Sequence, residues 1–341
     1  ASLTLTPSVT PVSDAIDLLT NAANTTEDTA AAISLTLSNP EDGVAAQVLG
    51  GKVYIRVDES GMTASGGVLS VGGVPLAQET LAGVPGIPDG TYYVVSGVGS
   101  VAALALEYRG AIHAKGTMAY TAYVQGQEFG AANVTTSQIA GSVMIRPVND
   151  AVTLSVPDTT GSEDQRVPVA ISVSLDDPSE ALASISLSNV PDGVLVFSGS
   201  GAPGSLAINL GGGVWGLPLV AGGVPPYVAL QPPVNWSGTI SGLQVSVWSG
   251  EPGLDPGLTT ASLNVTVNGV ADGIGLTPTL SFGNEGQVAA LNLNSVMPDS
   301  DGSETAIITL RGLGQHAAFY SGAALLAASY DAGSDTYTLS G

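Results

Sequence analysis

A short acidic pattern occurs three times in this 341-residue chain and constrains its fold more than any other feature. The copies begin as Asp14-Ala-Ile-Asp-Leu18, Asp150-Ala-Val-Thr-Leu154 and Asp272-Gly-Ile-Gly-Leu276. A glutamate follows the first Asp of each copy at one constant spacing, at Glu27, Glu163 and Glu285. One pattern at a fixed internal spacing is typical of consecutive repeats, so we expect an acidic linker to lead into the first strand of each repeat.

The charge of the chain restricts the partners that it can bind. It has 29 acidic and 7 basic residues, a net charge of −22, and 44% hydrophobic residues, which is enough apolar material for packed cores. Such a charge excludes nucleic acid as a partner, and no apolar run reaches the roughly 18 residues of a membrane span. Scattered carboxylates in an otherwise neutral chain suit calcium ions, which take about six to eight oxygen ligands.

The chain has no cysteine, which excludes disulfides, thiol catalysis and cysteine-bound zinc. Metal ions are then the obvious means of stiffening an extracellular chain. The N-terminus lacks the basic and apolar regions of a signal peptide and begins without Met, so we expect a segment of a larger polypeptide.

Periodic apolar residues predict strands throughout. Alternation is clear at Ile33/Leu35/Leu37, at Val169/Ile171/Val173/Leu175 and at Leu263/Val265/Val267. Gly, Pro, Asn and Asp interrupt these runs at short, regular intervals, which is typical of the turns of antiparallel sandwiches. No long segment has the period of a helix.

Spacing between distant residues predicts which segments are equivalent. Trp215 follows Glu163 by 52 residues and Tyr337 follows Glu285 by 52, so both should occupy one strand position. Gly116 and Gly238 each precede a linker Asp by 34, which aligns His113 with Asn235. The predicted divisions are a closing strand and linker of a preceding repeat (1–14), a repeat with insertions (15–150), a second repeat (151–272) and the front half of a third repeat, which another domain could interrupt (273–341).

Several motifs together resemble one family. Its linker is seen as Pro147-Val-Asn-Asp-Ala151, its acidic turn as Thr26-Glu-Asp-Thr29 and Ser162-Glu-Asp164, and its aromatic turn as Pro232-Pro-Val-Asn-Trp-Ser-Gly238. Its acidic loop is seen as Asn39-Pro-Glu-Asp-Gly43, Asp177-Pro-Ser-Glu180 and Pro298-Asp-Ser-Asp-Gly-Ser-Glu304. With these motifs the chain resembles the cadherin-like, immunoglobulin-type repeats of giant Gram-negative RTX adhesins. It departs from them at Tyr108–Lys115, where the aromatic turn is missing, and at Asn284-Glu-Gly286.

The resemblance implies an all-β fold of tandem immunoglobulin- or cadherin-like Greek-key β-sandwiches joined by calcium-binding linkers. It also implies type I secretion, display at the bacterial cell surface, and adhesion in biofilms by a monomeric segment of a larger chain. Related regions of that family carry carbohydrate-binding or peptide-binding modules.

Carboxylates gathered at one end of a sandwich repel one another unless a cation lies among them, which predicts calcium at each linker. We expect each linker Asp, the Glu that follows it at the constant spacing and the acids of the following loop to converge. The candidate ligands are Asp14, Glu27, Asp28 and Asp42; Asp150, Glu163, Asp164, Asp176, Asp177 and Glu180; and Asp272, Glu285, Asp299, Asp301 and Glu304. Glu128 and Glu251, expected in the hairpin before the last strand, are weaker candidates. The alternative is that these acids simply face solvent at loop ends.

The extra length of the first repeat carries many of the chain's few bases and aromatics. Tyr54, Arg56, Tyr92, Tyr93, Tyr108 and Arg109 are therefore predicted to form a surface for glycans or peptides, with an elaborated loop as the alternative. Trp215, Trp236 and Trp248 are more typical of a sandwich core than of sugar-stacking platforms.

The acidic pattern and the family resemblance together predict a calcium-rigidified extender of a surface adhesin, and we expect no enzyme activity. His113 and His316, the only histidines, lie in different repeats with no nucleophile motif, and the glycine runs lack the Lys of a phosphate loop. The alternatives are a ligand-binding module of the adhesin and a secreted polysaccharide-active enzyme with accessory repeats.

Overall fold

The computed structural model describes residues 10–39, 46–279, 281–284, 286–299, 301–302 and 304–340. These residues form strands and no helix, so the predicted all-β fold is confirmed. Nowhere among them is there a helix with the length and apolar character needed to span a bilayer. The chain divides into two compact units, residues 1–148 (unit 1) and 149–341 (unit 2).

Unit 1 is a sandwich of two sheets. Its strands are β1 (Asp17–Thr20), β2 (Ala23–Thr26), β3 (Ala31–Ser38), β4 (Gln47–Met62), β5 (Val68–Val71), β6 (Val74–Pro75), β7 (Ala77–Leu81), β8 (Gly90–Ser96), β9 (Ala102–Arg109), β10 (Gly116–Gln127) and β11 (Thr135–Arg146). One sheet has the order β1-β3-β9-β5-β6 and the other β2-β11-β10-β4-β8-β7. Leu35 and Leu37 of the first sheet and Val53 and Ile55 of the second are buried in one core, as their alternation requires.

The first part of unit 2 repeats this design. Its strands are β12 (Val152–Ser155), β13 (Thr159–Ser162), β14 (Val167–Pro168), β15 (Ser172–Leu175), β16 (Ala181–Ser188), β17 (Leu195–Gly199), β18 (Ser205–Leu206), β19 (Ile208–Gly211), β20 (Val214–Leu217), β21 (Tyr227–Gln231), β22 (Gly238–Gly250) and β23 (Gly257–Asn268). The order β13-β23-β22-β16-β20-β19 is that of the larger sheet of unit 1, and β14-β21-β17-β18 with β12-β15 corresponds to the smaller one. Leu187 and Val196 lie in the core that the sheets share.

The strands in the last part of unit 2 pair in the same way as some of the strands between β12 and β20 of the preceding repeat. Its strands are β24 (Gly275–Leu276), β25 (Ser295–Val296), β26 (Ile307–Arg311), β27 (Tyr320–Ser321), β28 (Ala324–Leu325), β29 (Ala328–Asp331) and β30 (Thr336–Ser340). The pair β24-β25 corresponds to β12-β15, and the order β26-β30-β29 corresponds to β16-β20-β19. The boundaries at residues 14, 150 and 272 stay predictions, and residues 1–9 of the predicted closing strand lie outside the described residues.

The equivalences predicted from spacing match the structure. Trp215 and Tyr337 are each 4% exposed, and they lie on the corresponding strands β20 and β30. His113 and Asn235 both adopt left-handed backbone conformations, with φ of 56° and 55°, in the turns that precede β10 and β22. Trp215 lies in the core, as predicted for it.

Candidate metal centres

Glu163 directly follows β13, whose partner β23 runs parallel to it, and it is only 2% exposed. Its N–H donates to the carbonyl of Asn268 at 2.9 Å, and its Oε1 accepts the N–H of Val270. Its Oε2 is buried and has no hydrogen-bond partner in the described part of the chain. Burying a carboxylate oxygen without a partner is unfavourable, so this atom marks a place where a cation would be stabilising.

Two aspartates of the loop before β26 face this carboxylate. One carboxylate oxygen each of Glu163, Asp299 and Asp301 lies within 4.8 Å of the other two, and we call these three residues the Glu163 cluster. Asp299 is 3% exposed, whereas Asp301 is exposed. Asp301 Oδ2 accepts from the N–H and the hydroxyl of Ser237 at 2.8 and 2.7 Å, so the loop is attached to the turn before β22.

The linker between β23 and β24 contacts the same loop. The N–H of Asp272 donates to Oε1 of Glu304, so a linker Asp and a loop acid converge as predicted. A groove of about 510 Å³ lies beside them, and its lining includes Val270 and Met297.

A second acidic group lies where unit 2 begins. The N–H of Asp150 donates to Oε1 of Glu180 at 2.6 Å, which repeats the contact of Asp272 with Glu304. Glu180 is 5% exposed, and its Oε2 is buried without a hydrogen-bond partner in the described residues. Burial raises the pKa of Glu180, and the negative charges of Asp150, Asp177 and Glu251 raise it further. We call these four residues the Glu180 cluster.

One hydroxyl in this cluster contacts two carboxylates. Ser179 Oγ lies 2.6 Å from Asp177 Oδ2 and 2.7 Å from Glu251 Oε1, and both acids are buried. A hydroxyl has a single proton to donate, so these two contacts are not both favourable while both acids are charged. A cation beside the pair would remove this conflict.

Glu251 is absent from the predicted ligands that were argued most strongly. It directly follows β22, and its N–H donates to Oδ1 of Asn149 at 3.0 Å. Its equivalence with Glu128, which directly follows β10, is the signal that made both residues weaker candidates in the sequence. Both lie in the hairpin before the last strand, as predicted.

Unit 1 has the same features. Glu27 is 2% exposed, donates its N–H to Arg146 O at 2.9 Å, and accepts from the N–H of Val148 at 2.7 Å. At the other end of unit 1, Glu128 accepts from the N–H of Asp14 at 3.3 Å, while its own N–H donates to Ser13 Oγ.

The prediction that each linker Asp converges with the Glu that follows it at the constant spacing is therefore wrong. Glu163 lies at the end of the sandwich where β22 begins, because Gly238 pairs with Val267 there. Asp150 lies at the end where β22 finishes, beside Glu251 and Glu180. The 13 residues of β22 span about 40 Å, so the two acids are separated by the length of the sandwich. The chain from Asp150 to Glu163 runs from one end of the sandwich to the other and does not turn back toward Asp150. Asp14 and Glu27 lie at opposite ends of their sandwich in the same way.

Other predicted ligands have different environments. Asp28 accepts the N–H of His113 at 3.0 Å and Asp164 accepts that of Asn235 at 2.9 Å, so both hold a turn in place. Asp176 is exposed beside buried Asp177. Asp42 and Glu285 lie outside the described residues.

The predicted ligand surface of the first repeat needs a correction. Tyr108 is fully buried in the core of unit 1, where its hydroxyl donates to Glu59 Oε1 at 2.5 Å. Burial raises the pKa of this phenol well above its usual range. Tyr92 is 1% exposed, so neither ring is available at the surface, whereas Arg56 and Arg109 are exposed.

No protein-family model matches the chain, and no curated protein matches it. Among solved structures it is similar to the extracellular cadherin domains 1–5 of protocadherin gamma B2, with 12% identity, a TM-score of 0.32, and coverage of 94% of this chain and 53% of that one. It is also similar to the Escherichia coli adhesin FdeC, with 16% identity, a TM-score of 0.25, and coverage of 97% of this chain and 90% of that one. A third similar structure is the collagen adhesin CNA of S. aureus, with 10% identity, a TM-score of 0.18, and coverage of 82% of this chain and 94% of that one. The chain thus spans about half the length of the protocadherin structure, and similarities this weak say nothing about what it binds.

Proposed function

We propose that this chain is a calcium-rigidified extracellular segment of a bacterial surface adhesin, which acts as an extender or scaffold in attachment and biofilm formation. The observation that carries the proposal is the Glu163 cluster. One oxygen of buried Glu163 accepts the N–H of Val270 in the linker. Its other oxygen faces two aspartates and has no hydrogen-bond partner among the residues that the structure describes. Three carboxylates held this closely favour a bound cation.

The chemistry of the donors selects the kind of cation. Glu163, Asp299 and Asp301 offer only carboxylate oxygens, which are hard ligands suited to calcium and magnesium. Neither an imidazole nor a thiolate belongs to this cluster, so soft transition metals are disfavoured. Calcium accepts irregular, carboxylate-rich surroundings more readily than magnesium, which keeps most of its water.

A bound calcium ion would supply positive charge to these residues and attach three segments to one another. Glu163 is fixed to the linker through Val270, and Asp301 to the turn before β22 through Ser237. Without the ion, repulsion among the carboxylates would loosen the path from β23 to β26. With calcium at about 100 times its Kd, one such site would add about 2.7 kcal/mol to the free energy of unfolding.

Calorimetry tests the proposal directly. We expect the Tm of the full chain to be higher in calcium than in EGTA, and magnesium at the same concentration to give a smaller rise. Small-angle scattering should show a narrower distribution of sizes with calcium. Identical melting and scattering in calcium and EGTA would contradict the proposal.

The proposed role is mechanical and involves no catalysis. Assays with soluble polysaccharides, in the presence of calcium, should therefore show no release of reducing ends. Turnover that is lost with a single carboxylate substitution would instead favour a secreted enzyme.

A further inference from the structure

One long segment of unit 2 has no charged side chain. Residues 193–250 contain no Asp, Glu, Lys, Arg or His, and the next longest segment of this kind is residues 60–78. The segment includes β18 and β19, which are the last strands of the smaller and the larger sheet of this sandwich. The chain passes directly from one to the other at Ala207, so one side edge of the sandwich is built from uncharged strands.

Three aliphatic side chains are exposed along this edge. Leu206, Ile208 and Leu210 are 56%, 57% and 62% exposed. Ile208 pairs with Gly216 of β20, which faces outward because its neighbour Trp215 lies in the core. A Cβ added to Gly216 would lie 3.7 Å from Ile208 Cβ and 3.6 Å from Leu210 Cδ1. Ile208 and Leu210 therefore lie together on the outer face of the sheet.

The outer side of β19 is also an open sheet edge, since no other strand pairs with it in the described part of the chain. Such an edge invites pairing with another chain, and proteins commonly protect it with charged side chains. The corresponding edge strand of unit 1, β7, carries Glu79, which forms an ion pair with Lys52 at 2.6 Å. No charged residue belongs to β19.

The strand pairings show which residues of the two edges correspond. Gln78 is the residue of β7 that corresponds to Asn209 of β19. An alanine and Glu79 flank Gln78, whereas Ile208 and Leu210 flank Asn209. Unit 2 thus has exposed aliphatic residues on an edge that a charged residue protects in unit 1.

The charge of the chain indicates which partner suits this edge. A basic partner would be attracted to the acidic surfaces and not to a neutral edge. A second copy carries the same net charge of −22 and is repelled by those acidic surfaces, so an uncharged apolar edge is where two copies can approach. Arg166 lies 3.4 Å over the ring of Phe197 on β17, which adds positive charge beside this edge.

The edge also matches itself. Antiparallel pairing of two β19 strands, across a two-fold axis near Asn209, would set Ile208 of each copy opposite Leu210 of the other. Opposed aliphatic residues stabilise a strand pair, and the backbone groups of the open edge would gain partners.

We infer that two copies of this chain associate through β19 as a two-fold symmetric dimer, with Ile208 and Leu210 at its centre. The dimer takes the place of the monomer that the family resemblance implies. The contact is small, because β19 has 4 residues and its pairing with β20 is irregular between Asn209 and Gly211. A short, bulged strand favours a closed pair over an extended stack of copies.

Sedimentation equilibrium of the full chain in EGTA tests this association. We expect the average mass to rise with concentration, from that of one copy toward that of two. Raising NaCl from about 0.05 to about 0.5 M should strengthen the association, because salt screens the repulsion between the acidic copies.

Leu210→Glu should weaken the association about tenfold or more, since it places two carboxylates in the uncharged contact. Val74→Glu is the matched control, because Val74 is 68% exposed on the edge strand β6 of unit 1 and the change in charge is the same. It should leave the association unchanged. Mixing Leu210→Glu with Ile208→Lys should restore it, because these two side chains would lie opposite each other.

A single cysteine tests the position of the two-fold axis. The chain has no cysteine, so Asn209→Cys introduces one thiol in each copy. Two such thiols beside the axis should form a disulfide between copies on mild oxidation. Gln78→Cys, at the equivalent exposed place in unit 1, should give little covalent dimer.

Four outcomes would overturn the inference. They are a mass of one copy at every concentration, association that salt weakens, equal effects of Leu210→Glu and Val74→Glu, or equal cross-linking through Asn209→Cys and Gln78→Cys. Unchanged melting of each variant would show that a loss of association is not a loss of folding. Melting that does not depend on calcium would contradict only the proposed function and leave this dimer standing.

Discussion

The carboxylate of Glu163 accepts a hydrogen bond from the backbone amide of Val270, a residue 107 positions further along the chain. Glu27 makes the same contact with Val148, 121 positions away, at 2.7 Å. Each unit therefore holds the linker that leaves its sandwich by a glutamate that follows its second strand. The carboxylate is thereby buried and oriented before any ion binds.

Glu163→Gln should reduce calcium affinity by about tenfold or more, because the charge of the ligands sets the affinity of a calcium site. The amide oxygen of Gln can still accept from Val270, so the linker should stay attached. Titration calorimetry with calcium would measure the loss.

Asp192→Asn is the matched control for that substitution. Asp192 is exposed in the turn before β17, and the change removes the same charge from unit 2. Equal losses of calcium affinity in both variants would show that Glu163 acts only through net charge.

Calcium-free protein should become less stable as the pH rises above the ordinary value for Glu180. The ordinary pKa of a glutamate is 4.5, and burial raises the pKa of Glu180 above this value in the folded chain. At a pH between these two values, the folded state therefore holds more protons than the unfolded state. The free energy of unfolding therefore falls with rising pH through that window. Urea unfolding in EGTA, followed by the fluorescence of the three tryptophans, all in unit 2, would measure this fall.

Glu180→Gln should reduce the pH dependence, because the amide resembles the protonated carboxyl group. A pH profile identical to that of the unaltered chain would rule out Glu180 as its source.

Tyr108→Phe should destabilise unit 1 by about 1.5–3 kcal/mol, since it removes a hydrogen bond to a carboxylate. Glu59 also accepts the N–H groups of Gly66 and Gly67, each at 2.7 Å, so hydrogen exchange of these two amides should quicken. Tyr93→Phe is the control, because its hydroxyl donates to the neutral carbonyl of Gly67 at 3.0 Å. We expect Tyr93→Phe to lower the free energy of unfolding by only about 0.5–1.5 kcal/mol. A larger decrease for Tyr93→Phe than for Tyr108→Phe would contradict this account.

His113→Asn should change the free energy of unfolding by less than about 0.5 kcal/mol. Asn235 has the same left-handed conformation and the same backbone contact to an aspartate in unit 2. His113→Val should cost about 1–3 kcal/mol, because a β-branched residue is strained at positive φ. Calorimetry of both variants would reveal the difference, and equal melting would contradict it.

Strands and their equivalence could be predicted from the sequence because they depend on local patterns. The alternation at Leu35 and Leu37 reports which face is buried, and the equal spacings from Glu163 and Glu285 placed Trp215 and Tyr337 on corresponding strands. The aromatic cluster of Tyr54, Tyr92 and Tyr123 could not be predicted, since its rings come from three strands whose order no local pattern records.

The acidic residues were predicted to converge, and the prediction is wrong only for the Glu that follows each linker Asp at the constant spacing. The constant spacing between Asp150 and Glu163 does not show whether the chain turns back or continues. Because β13 pairs in parallel with β23, Glu163 lies beside the end of β23, at the end of the sandwich opposite Asp150. Glu180 was placed with Asp150 correctly, because both flank the short β12-β15 pair.

The parallel pairing of β13 with β23 also determines how a repeat would respond to being pulled. Tension on the two ends of the repeat would draw these neighbouring strands in opposite directions along their own axes. The ladder from Thr159–Val265 to Ser162–Asn268 would then be loaded in shear, with its hydrogen bonds sharing the force instead of breaking one after another. The contact of Glu163 with Val270 lies just beyond that ladder and adds a further bond under the same load. The parallel pair β2-β11 would be loaded in the same way, so in both sandwiches the strands next to the linkers would resist an external force in shear.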